Sequence, residues 1–316
     1  MNGLLIAAVV AGLPKWASAG AGLDFTKPEQ KAFLPDWFQV IMDVNITPNG
    51  AIWVLGDGVL YGFDTEGNVF KEGLPLTFLL PSALAYNEKS QLLGVLDIDG
   101  LHLLDVTGKA ISQVDLFGSG IANAKFMAPY DKGFVVVGYD EKAGKVFHVF
   151  NEKGEFQKSF GDPVQDPQVV QLSPTMLVPL GVSASDKWLI AVDPYSYDLL
   201  VYEKEQLKRR LSLPIPDNQL MSLVPKVITM VKSDGGINTA LSVQTSIKTA
   251  ILGDAAMVVV TPPSGQSWLW AVDLKEGKVL NSMCVDLLEQ NLRFIAIDPD
   301  GTPLFWNKDG IYRIKG

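Results

Sequence analysis

The chain has 316 residues, of which 47% are apolar and 19% charged, and its formal net charge is −9 at pH 7. This apolar content excludes a disordered or low-complexity chain, which could not bury enough surface to offset its ordering entropy. The acidic balance disfavours nucleic acid as a partner, because phosphate binding needs clustered Lys and Arg. A single cysteine, Cys284, excludes an internal disulfide and any cysteine-cluster metal site.

The N-terminus has the pattern of a secretory signal. Residues 4–13 form an apolar run that stops at Pro14, and about 20 apolar residues are needed to span a bilayer. The triplet Ala17-Ser18-Ala19 matches an A-x-A cleavage site, although no Lys or Arg precedes the apolar run. The alternative is a buried N-terminal strand or helix. We predict a signal peptide over residues 1–19, an exported (periplasmic or extracellular) domain over 20–316, and no transmembrane segment in the mature chain.

A unit of short apolar strands recurs along the rest of the chain. Each unit has an apolar strand, a polar loop, a second apolar strand and a polar turn, and the turns of five units are anchored by Asp64, Asp105, Asn151, Glu203 and Asp273. Upstream of each unit lies another apolar segment that would supply an innermost strand, at residues 40–46, 83–86, 122–127, 177–182, 241–251 and 294–297. Six units of four strands, with no long helix, predict an all-β fold, a six-bladed β-propeller. A two-sheet sandwich does not explain the recurrence.

The sixth unit has no outer strand of its own, because the chain ends just after residue 314. An open blade would leave unpaired N–H and C=O groups along its edge. We therefore predict that residues 30–34 pair with residues 311–314 and close the ring with an N-terminal strand.

Residues 146–161 read VFHVFNEKGEFQKSFG, which resembles the NHL repeat: an apolar strand, a D/N-x-x-G turn and an F-x-x-x-F/I-G strand. Residues 63–68 and 104–109 resemble the turn of that repeat, whereas the fourth and fifth units depart from it. The chain thus resembles the superfamily of NHL-like six-bladed propellers. This resemblance implies a binding scaffold in most cases, with lactonases, arylesterases and lyases as enzymatic exceptions, and the fold alone does not choose among them.

The loops of a propeller carry its function, because its sheets are occupied with packing. Acids and tyrosines recur in the loops that lead into the second strand of each hairpin, which indicates a rim suited to a carbohydrate, a cationic peptide or Ca²⁺. Asp and Gly also form turns without any ligand, so turn chemistry is the alternative explanation. The predicted rim residues are Asp57, Asp97, Asp99, Tyr139, Asp140, Tyr195 and Tyr197.

The propeller lactonases, which this fold resembles, hold a divalent cation at the channel mouth with Glu, Asn and Asp. The corresponding oxygen ligands here would be Asp43, Asn45, Asn87 and Asn123, and Ca²⁺ suits such ligands. No Glu stands at the start of the first blade, where that family supplies one.

Other catalytic signals are weak. The two histidines, His102 and His148, lie in strands predicted to be away from the channel, so we expect packing or solvent-facing roles for both. No G-x-S-x-G motif is present, and Cys284 is predicted to be a buried, inert thiol. Within residues 215–255, segments 223–231 and 241–251 flank a turn at 232–236, which predicts an extra hairpin or a lengthened inner strand.

These observations predict an exported, non-catalytic propeller that binds a ligand, such as a carbohydrate, or a protein partner through its loop face and needs no cofactor. The alternative is a metal-dependent, lactonase-like hydrolase with a cation, Ca²⁺ first among the candidates, at the mouth of the central channel.

Overall fold

A computed structural model describes residues 23–34, 38–47, 50–64, 68–71, 78–164, 178–215, 226–231, 237–242, 246–262, 266–287, 291–298 and 301–315. Within these ranges the chain forms 26 β-strands and no helix. Accordingly, none of the described residues belongs to a helix with the length and apolar character needed to cross a membrane. The predicted signal peptide, residues 1–19, lies outside the described ranges.

The first half of the chain contributes thirteen strands. They are β1 (Glu29–Phe33), β2 (Ile41–Ile46), β3 (Ile52–Gly56), β4 (Val59–Phe63), β5 (Val69–Lys71), β6 (Ala83–Asn87), β7 (Leu92–Asp97), β8 (Gly100–Asp105), β9 (Ala110–Val114), β10 (Ile121–Tyr130), β11 (Gly133–Asp140), β12 (Lys145–Phe150) and β13 (Phe156–Phe160).

The second half contributes another thirteen. They are β14 (Leu180–Ala184), β15 (Trp188–Val192), β16 (Leu199–Glu203), β17 (Gln206–Leu211), β18 (Lys226–Val231), β19 (Ile237–Ser242), β20 (Ser246–Leu252), β21 (Ala255–Thr261), β22 (Gln266–Asp273), β23 (Lys278–Asp286), β24 (Arg293–Ile297), β25 (Pro303–Asn307) and β26 (Gly310–Arg313).

The strands form a six-bladed β-propeller, as the recurrence in the sequence predicts. Five blades are consecutive four-stranded antiparallel sheets, β2–β5, β6–β9, β10–β13, β14–β17 and β20–β23, and the sixth combines β24, β25 and β26 with β1. The inner strands β2, β6, β10, β14, β20 and β24 contact one another in that order, and β24 also contacts β2. The six blades therefore surround a central channel.

The burial of each strand explains its pattern of apolar and polar residues. The second strands β3, β7 and β15 are buried at every position, because both of their faces pack against neighbouring blades. Such strands read as continuous apolar runs rather than as an alternation. The outer strands β9 and β17 are mostly exposed, and β17 is also largely polar.

The turns between third and fourth strands repeat the same hydrogen bonds. The Asp64 carboxylate accepts from Asn68 N at 2.8 Å, and the Asp105 carboxylate accepts from Lys109 N at 3.0 Å. In the third blade, the Asn151 side-chain oxygen accepts from Glu155 N at 2.9 Å. The recurring Asp or Asn therefore anchors a turn at equivalent positions of three blades.

The sixth blade obtains its outer strand from the N-terminal side of the chain. Strand β1 pairs antiparallel with β26, with Ala32 opposite Ile311 and Glu29 opposite Arg313. Next to this pairing, Asp24 N donates to the carbonyl of Lys315 at 2.8 Å.

The extra hairpin between blades four and five is present, but its second arm differs from the prediction. Strand β18 pairs with β19, which places Val231 opposite Ile237. The predicted arm at residues 241–251 is instead divided, because β19 ends at Ser242 and β20 begins the inner strand of blade five at Ser246. A single apolar stretch thus serves two sheets.

In a propeller, the turns between second and third strands lie at the same end as the connections between blades. We call this end the loop face. Its turns include residues 57–58, 98–99, 141–144, 193–198 and 308–309. The inner strands begin at this end, so residues near the start of an inner strand lie at the mouth of the channel that opens on the loop face.

Candidate functional site: the loop face and the channel mouth

Asp97, one of the predicted rim acids, is almost fully buried at the end of β7. Its carboxylate accepts hydrogen bonds from Leu79 N at 2.8 Å, from Leu80 N at 2.7 Å and from Ile98 N at 2.7 Å. These donors belong to the connection from blade one and to the turn after β7. The Asp97 carboxylate therefore holds the backbone of the loop face in place.

Asp57 has the equivalent role one blade earlier. Its carboxylate accepts from Gln39 N at 3.0 Å and from Val40 N at 2.9 Å. In both blades the donors precede the acceptor by 17 and 18 residues. In the sequence, the acidic turns at 56–58 and 97–99 indicated that Asp57 and Asp97 occupy similar places in their blades. The turns do not reveal which backbone N–H groups these carboxylates bind.

The anchoring by Asp97 places apolar side chains on the surface. Leu79, Leu80 and Ile98 are 72%, 66% and 64% exposed. Their three backbone N–H groups meet at one carboxylate, so the three residues lie close together on the loop face. We call these three residues the apolar cluster. Other large apolar side chains exposed near the same end are Val40, Met42 and Phe117.

The two tyrosines predicted at the rim of blade four are buried, which corrects the expected aromatic edge. The turn folds inward because the Asp193 carboxylate accepts from Tyr195 N at 2.9 Å, while Tyr197 N donates to the Asp193 carbonyl at 3.0 Å. Tyr197 has a φ of 57° and is fully buried in the core between blades four and five. Tyr195 joins the core between blades three and four.

The remaining rim residues of blade three also serve the fold. Tyr139 is half-buried and packs against the core between blades three and four. Asp140 closes the turn after β11 by accepting from Lys142 N at 2.8 Å and from Ala143 N at 3.1 Å.

Asp99 lies beside a histidine. Its carboxylate is 2.8 Å from His102 Nε2 and accepts from Gln113 Nε2 at 2.9 Å. Asp97, Asp99 and His102 form a group in which one potential ligand atom from each residue lies within 4.8 Å of the others. Within the described ranges, this is the one such group of three His, Cys, Asp or Glu residues. Imidazole and carboxylate are ligands for Zn²⁺. Because Asp97 already accepts three backbone N–H groups, however, hydrogen bonds alone satisfy much of this cluster.

Asp43, predicted as a channel ligand, lies near the start of β2 and is buried. Its carboxylate is 2.7 Å from the Lys248 ammonium, and it also accepts from Val44 N and Leu84 N, each at 3.0 Å. Since Lys248 belongs to β20 of blade five, this ion pair joins blades one and five across the channel mouth beside blade six.

The other predicted channel ligands do not gather around Asp43. Asn87 lies three residues beyond Leu84, roughly 10 Å along β6. Its amide donates to the carbonyls of Asp131 and Gly133 in the neighbouring blade, at 3.1 and 2.5 Å. Asn87 thus joins two blades at the far end of the channel.

Asn45 and Asn123 occupy different settings. Asn45 lines the channel on β2, two residues further from the mouth than Asp43. Asn123 lies in the irregular part of β10, with a φ of 56°. Of the four predicted ligands, Asp43 is the one that lines the pocket at the channel mouth.

A pocket of 240 Å³ lies at this mouth, between blades five, six and one. We call it the mouth pocket, and its lining includes Met42, Asp43, Lys248, Thr261, Arg293 and Trp306. The Arg293 guanidinium lies 5.3 Å from the centre of the Trp306 ring, within the range of a cation–π interaction. Sequence reasoning missed Lys248, Arg293 and Trp306, because these side chains come from three strands of two blades.

His148 is fully buried in β12, consistent with the expected packing role. Its Nε2 lies 3.2 Å from the Gly138 carbonyl and its Nδ1 lies 3.1 Å from Ser159 Oγ. A neutral ring with its proton on Nε2 satisfies both contacts. Burial lowers the pKa of His148, since the charged ring would lose its solvation.

Cys284 does not have the predicted buried position. It is exposed on the outer strand β23, where side chains alternate between the neighbouring blade and solvent.

No family of known proteins matches the sequence, and no curated protein matches it either. Three solved structures are similar to this chain, each at low sequence identity. The WD40 domain of Pan2 from Neurospora crassa is 11% identical with a TM-score of 0.50, over 92% of this chain and 95% of that chain. PorZ, a bacterial surface component of the type-IX secretion system of Porphyromonas gingivalis, is 13% identical with a TM-score of 0.50, over 89% of this chain and 37% of that chain. The computationally designed Ika8 protein is 14% identical with a TM-score of 0.45, over 90% and 99%. At these identities the likeness concerns the fold alone.

Proposed function

We propose that this protein is an exported, non-catalytic β-propeller scaffold that binds a protein partner through its loop face. The observation that carries the proposal is the apolar cluster of Leu79, Leu80 and Ile98, each about two-thirds exposed and held by the buried Asp97. Exposed apolar residues that lie close together mark interaction surfaces, because burying them against a partner removes apolar surface from water. The propeller fold supports a scaffold role. We also propose that the propeller is NHL-like, on the basis of its turns at Asp64, Asp105 and Asn151.

The chemistry of this surface favours a protein over a carbohydrate. Leucine and isoleucine offer no hydrogen bond to sugar hydroxyl groups, whereas they pack well against apolar side chains of a protein. The aromatic rim expected for a carbohydrate is not exposed in blade four, where Tyr195 and Tyr197 are buried. We therefore infer a partner that presents apolar anchor side chains to blades one to three.

Export rests on the N-terminal sequence, residues 1–19, and its test is independent of binding. We expect the mature protein to begin near Gly20 and to occur in the envelope or medium of the cells that make it. N-terminal sequencing and cell fractionation measure both properties. A full-length chain confined to the cytosol would contradict export.

The binding proposal is tested by pull-down from an envelope extract, comparing the wild-type chain with Leu80→Asp and Ile98→Asp. The matched control is Ile111→Asp, which changes an apolar residue of similar exposure (49%) on the outer strand β9, away from the loop face. We expect a partner that is retained by wild type and by the control, and whose affinity falls by about tenfold or more in the two cluster variants. Equal retention by all four chains would overturn the proposal.

A further inference from the structure

We propose that the mouth pocket binds a carboxylate that carries an apolar body. This inference concerns a second site on the loop face and goes beyond the proposed function, which rests on the apolar cluster.

The charges of the mouth pocket are unequal. The charged residues of its lining are Asp43, Lys248 and Arg293, which together give one net positive charge. Lys248 is already paired with Asp43 at 2.7 Å. Arg293 makes no ion pair with any other part of the chain that the structure describes. The Arg293 guanidinium is thus the charge that a ligand can neutralise.

The position of Arg293 suits a planar anion. Its guanidinium is oriented by the face of Trp306, at 5.3 Å. A guanidinium that stacks on an aromatic ring keeps its N–H groups, which lie in the guanidinium plane, available for an anion. Two parallel hydrogen bonds from such a fork match the two oxygens of a carboxylate.

The walls of the pocket indicate the rest of the ligand. The apolar side chains of Met42 and Phe294 border the pocket together with Trp306, and Lys248 adds an ammonium beside them. A volume of 240 Å³ accommodates one small acid or one terminal residue of a chain. A monocarboxylate with an apolar body neutralises the one net positive charge of the pocket and packs against its apolar side chains. The carboxylate could come from a small organic acid or from the C-terminus of a polypeptide.

The test is titration calorimetry on the full-length protein with paired probes. The probes are 3-phenylpropionate and its amide, an acetylated tripeptide that ends in phenylalanine with a free or an amidated C-terminus, and inorganic phosphate. We expect saturable binding of one carboxylate per chain and at least tenfold weaker binding of the matching amide. Tighter binding of 3-phenylpropionate than of the peptide with a free C-terminus identifies a small organic acid as the ligand. The reverse order identifies the C-terminus of a polypeptide.

The variants are Arg293→Gln, Arg293→Lys and, as a control, Lys187→Gln, which removes a cation that lies 4.4 Å over Trp188 outside the pocket. We expect Arg293→Gln to weaken carboxylate binding at least tenfold, Arg293→Lys to weaken it less, and Lys187→Gln to bind as wild type does. The inference is overturned if neither carboxylate binds, if Arg293→Gln binds as wild type does, or if the amides or phosphate bind as tightly as the carboxylates.

The same titration with Leu80→Asp separates this inference from the proposed function. Leu80 lies outside the mouth pocket, so the variant should bind the carboxylate as wild type does. If the carboxylate binds but no partner depends on Leu80, the proposed function fails alone. If a partner depends on Leu80 but no carboxylate binds, the inference about the mouth pocket fails alone.

Discussion

At the scale of single residues, the carboxylate of Asp97 is a structural anchor of the loop face. Replacing Asp97 with alanine removes the acceptor of three backbone N–H groups, and we expect the free energy of unfolding to fall by about 1–3 kcal/mol. The control is Asp140→Ala, which removes an acceptor from an exposed turn and should cost about 0.5 kcal/mol or less. Chemical denaturation of both variants measures the difference, and equal losses would contradict the anchoring role.

His148 gives the stability of the fold a pH dependence of known sign. Burial lowers the pKa of the folded-state ring, so the unfolded chain takes up a proton near pH 6.5 while the folded chain does not. Stability should therefore fall as the pH drops below about 6.5, and His148→Gln should lose less stability over the same window. Urea unfolding of both chains between pH 7.5 and pH 5.5 measures this, and parallel profiles would show that His148 does not titrate as described.

Sequence reasoning at this scale recovered residues but not their partners. Asp57 and Asp97 were found as repeated loop acids, yet the groups that they bind lie 17 and 18 residues earlier in connections without a regular pattern. Tyr197 was predicted at the exposed rim because it lies in the loop at 193–198, whereas the structure buries its ring in the core between blades four and five, with a φ of 57°. Such pairings depend on the path of the chain in three dimensions, which a local pattern does not contain.

At the scale of elements, the sequence predicted some innermost strands closely and others less so. Residues 122–127 and 177–182 differ from β10 and β14 by three residues at one end. Residues 40–46 and 294–297 correspond to β2 and β24 within one residue at each end. They were predictable because each inner strand is a short apolar segment between polar loops. The stretch at 241–251 was interpreted both as an innermost strand and as an arm of an extra hairpin, since a continuous β-pattern does not reveal the break between β19 and β20.

The pairing of β1 with β26 makes a prediction about ring closure. Removing residues 20–36 leaves β26 with an unpaired edge and exposes the partners of Leu23 and Ala32, which are buried. We expect the Tm to fall on the order of 10 °C, by the loss of several kcal/mol of pairing and burial. The control Glu29→Gln removes an exposed ion pair with Lys315 and should leave the Tm nearly unchanged. A truncated chain that melts as wild type does would contradict closure by β1.

At the scale of the whole molecule, the ion pair of Asp43 and Lys248 joins blades one and five over the mouth of the channel. The Lys248 ammonium therefore already neutralises the Asp43 carboxylate, which is one of the predicted metal ligands. We expect the purified protein to contain no stoichiometric Ca²⁺ or Zn²⁺ and its Tm to be unchanged by a chelator. Elemental analysis and a thermal melt with EDTA measure this. A stoichiometric metal whose removal lowers the Tm would favour the hydrolase alternative.

The propeller places two different surfaces on one face. The apolar cluster lies on the connection between blades one and two and on blade two, and the mouth pocket lies between blades five, six and one. The proposed partner and the proposed carboxylate would therefore bind at separate places on the loop face.

The most direct measurement of that role is site-specific photo-crosslinking in intact cells, with a photoreactive amino acid at position 80 or at position 111. Both positions are exposed, but position 80 lies on the loop face and position 111 on the outer strand β9. We predict a discrete protein adduct from position 80 that is absent from position 111 and disappears when Ile98→Asp is added. Identical adducts from the two positions, or none from position 80, would contradict a scaffold that binds a protein through its loop face.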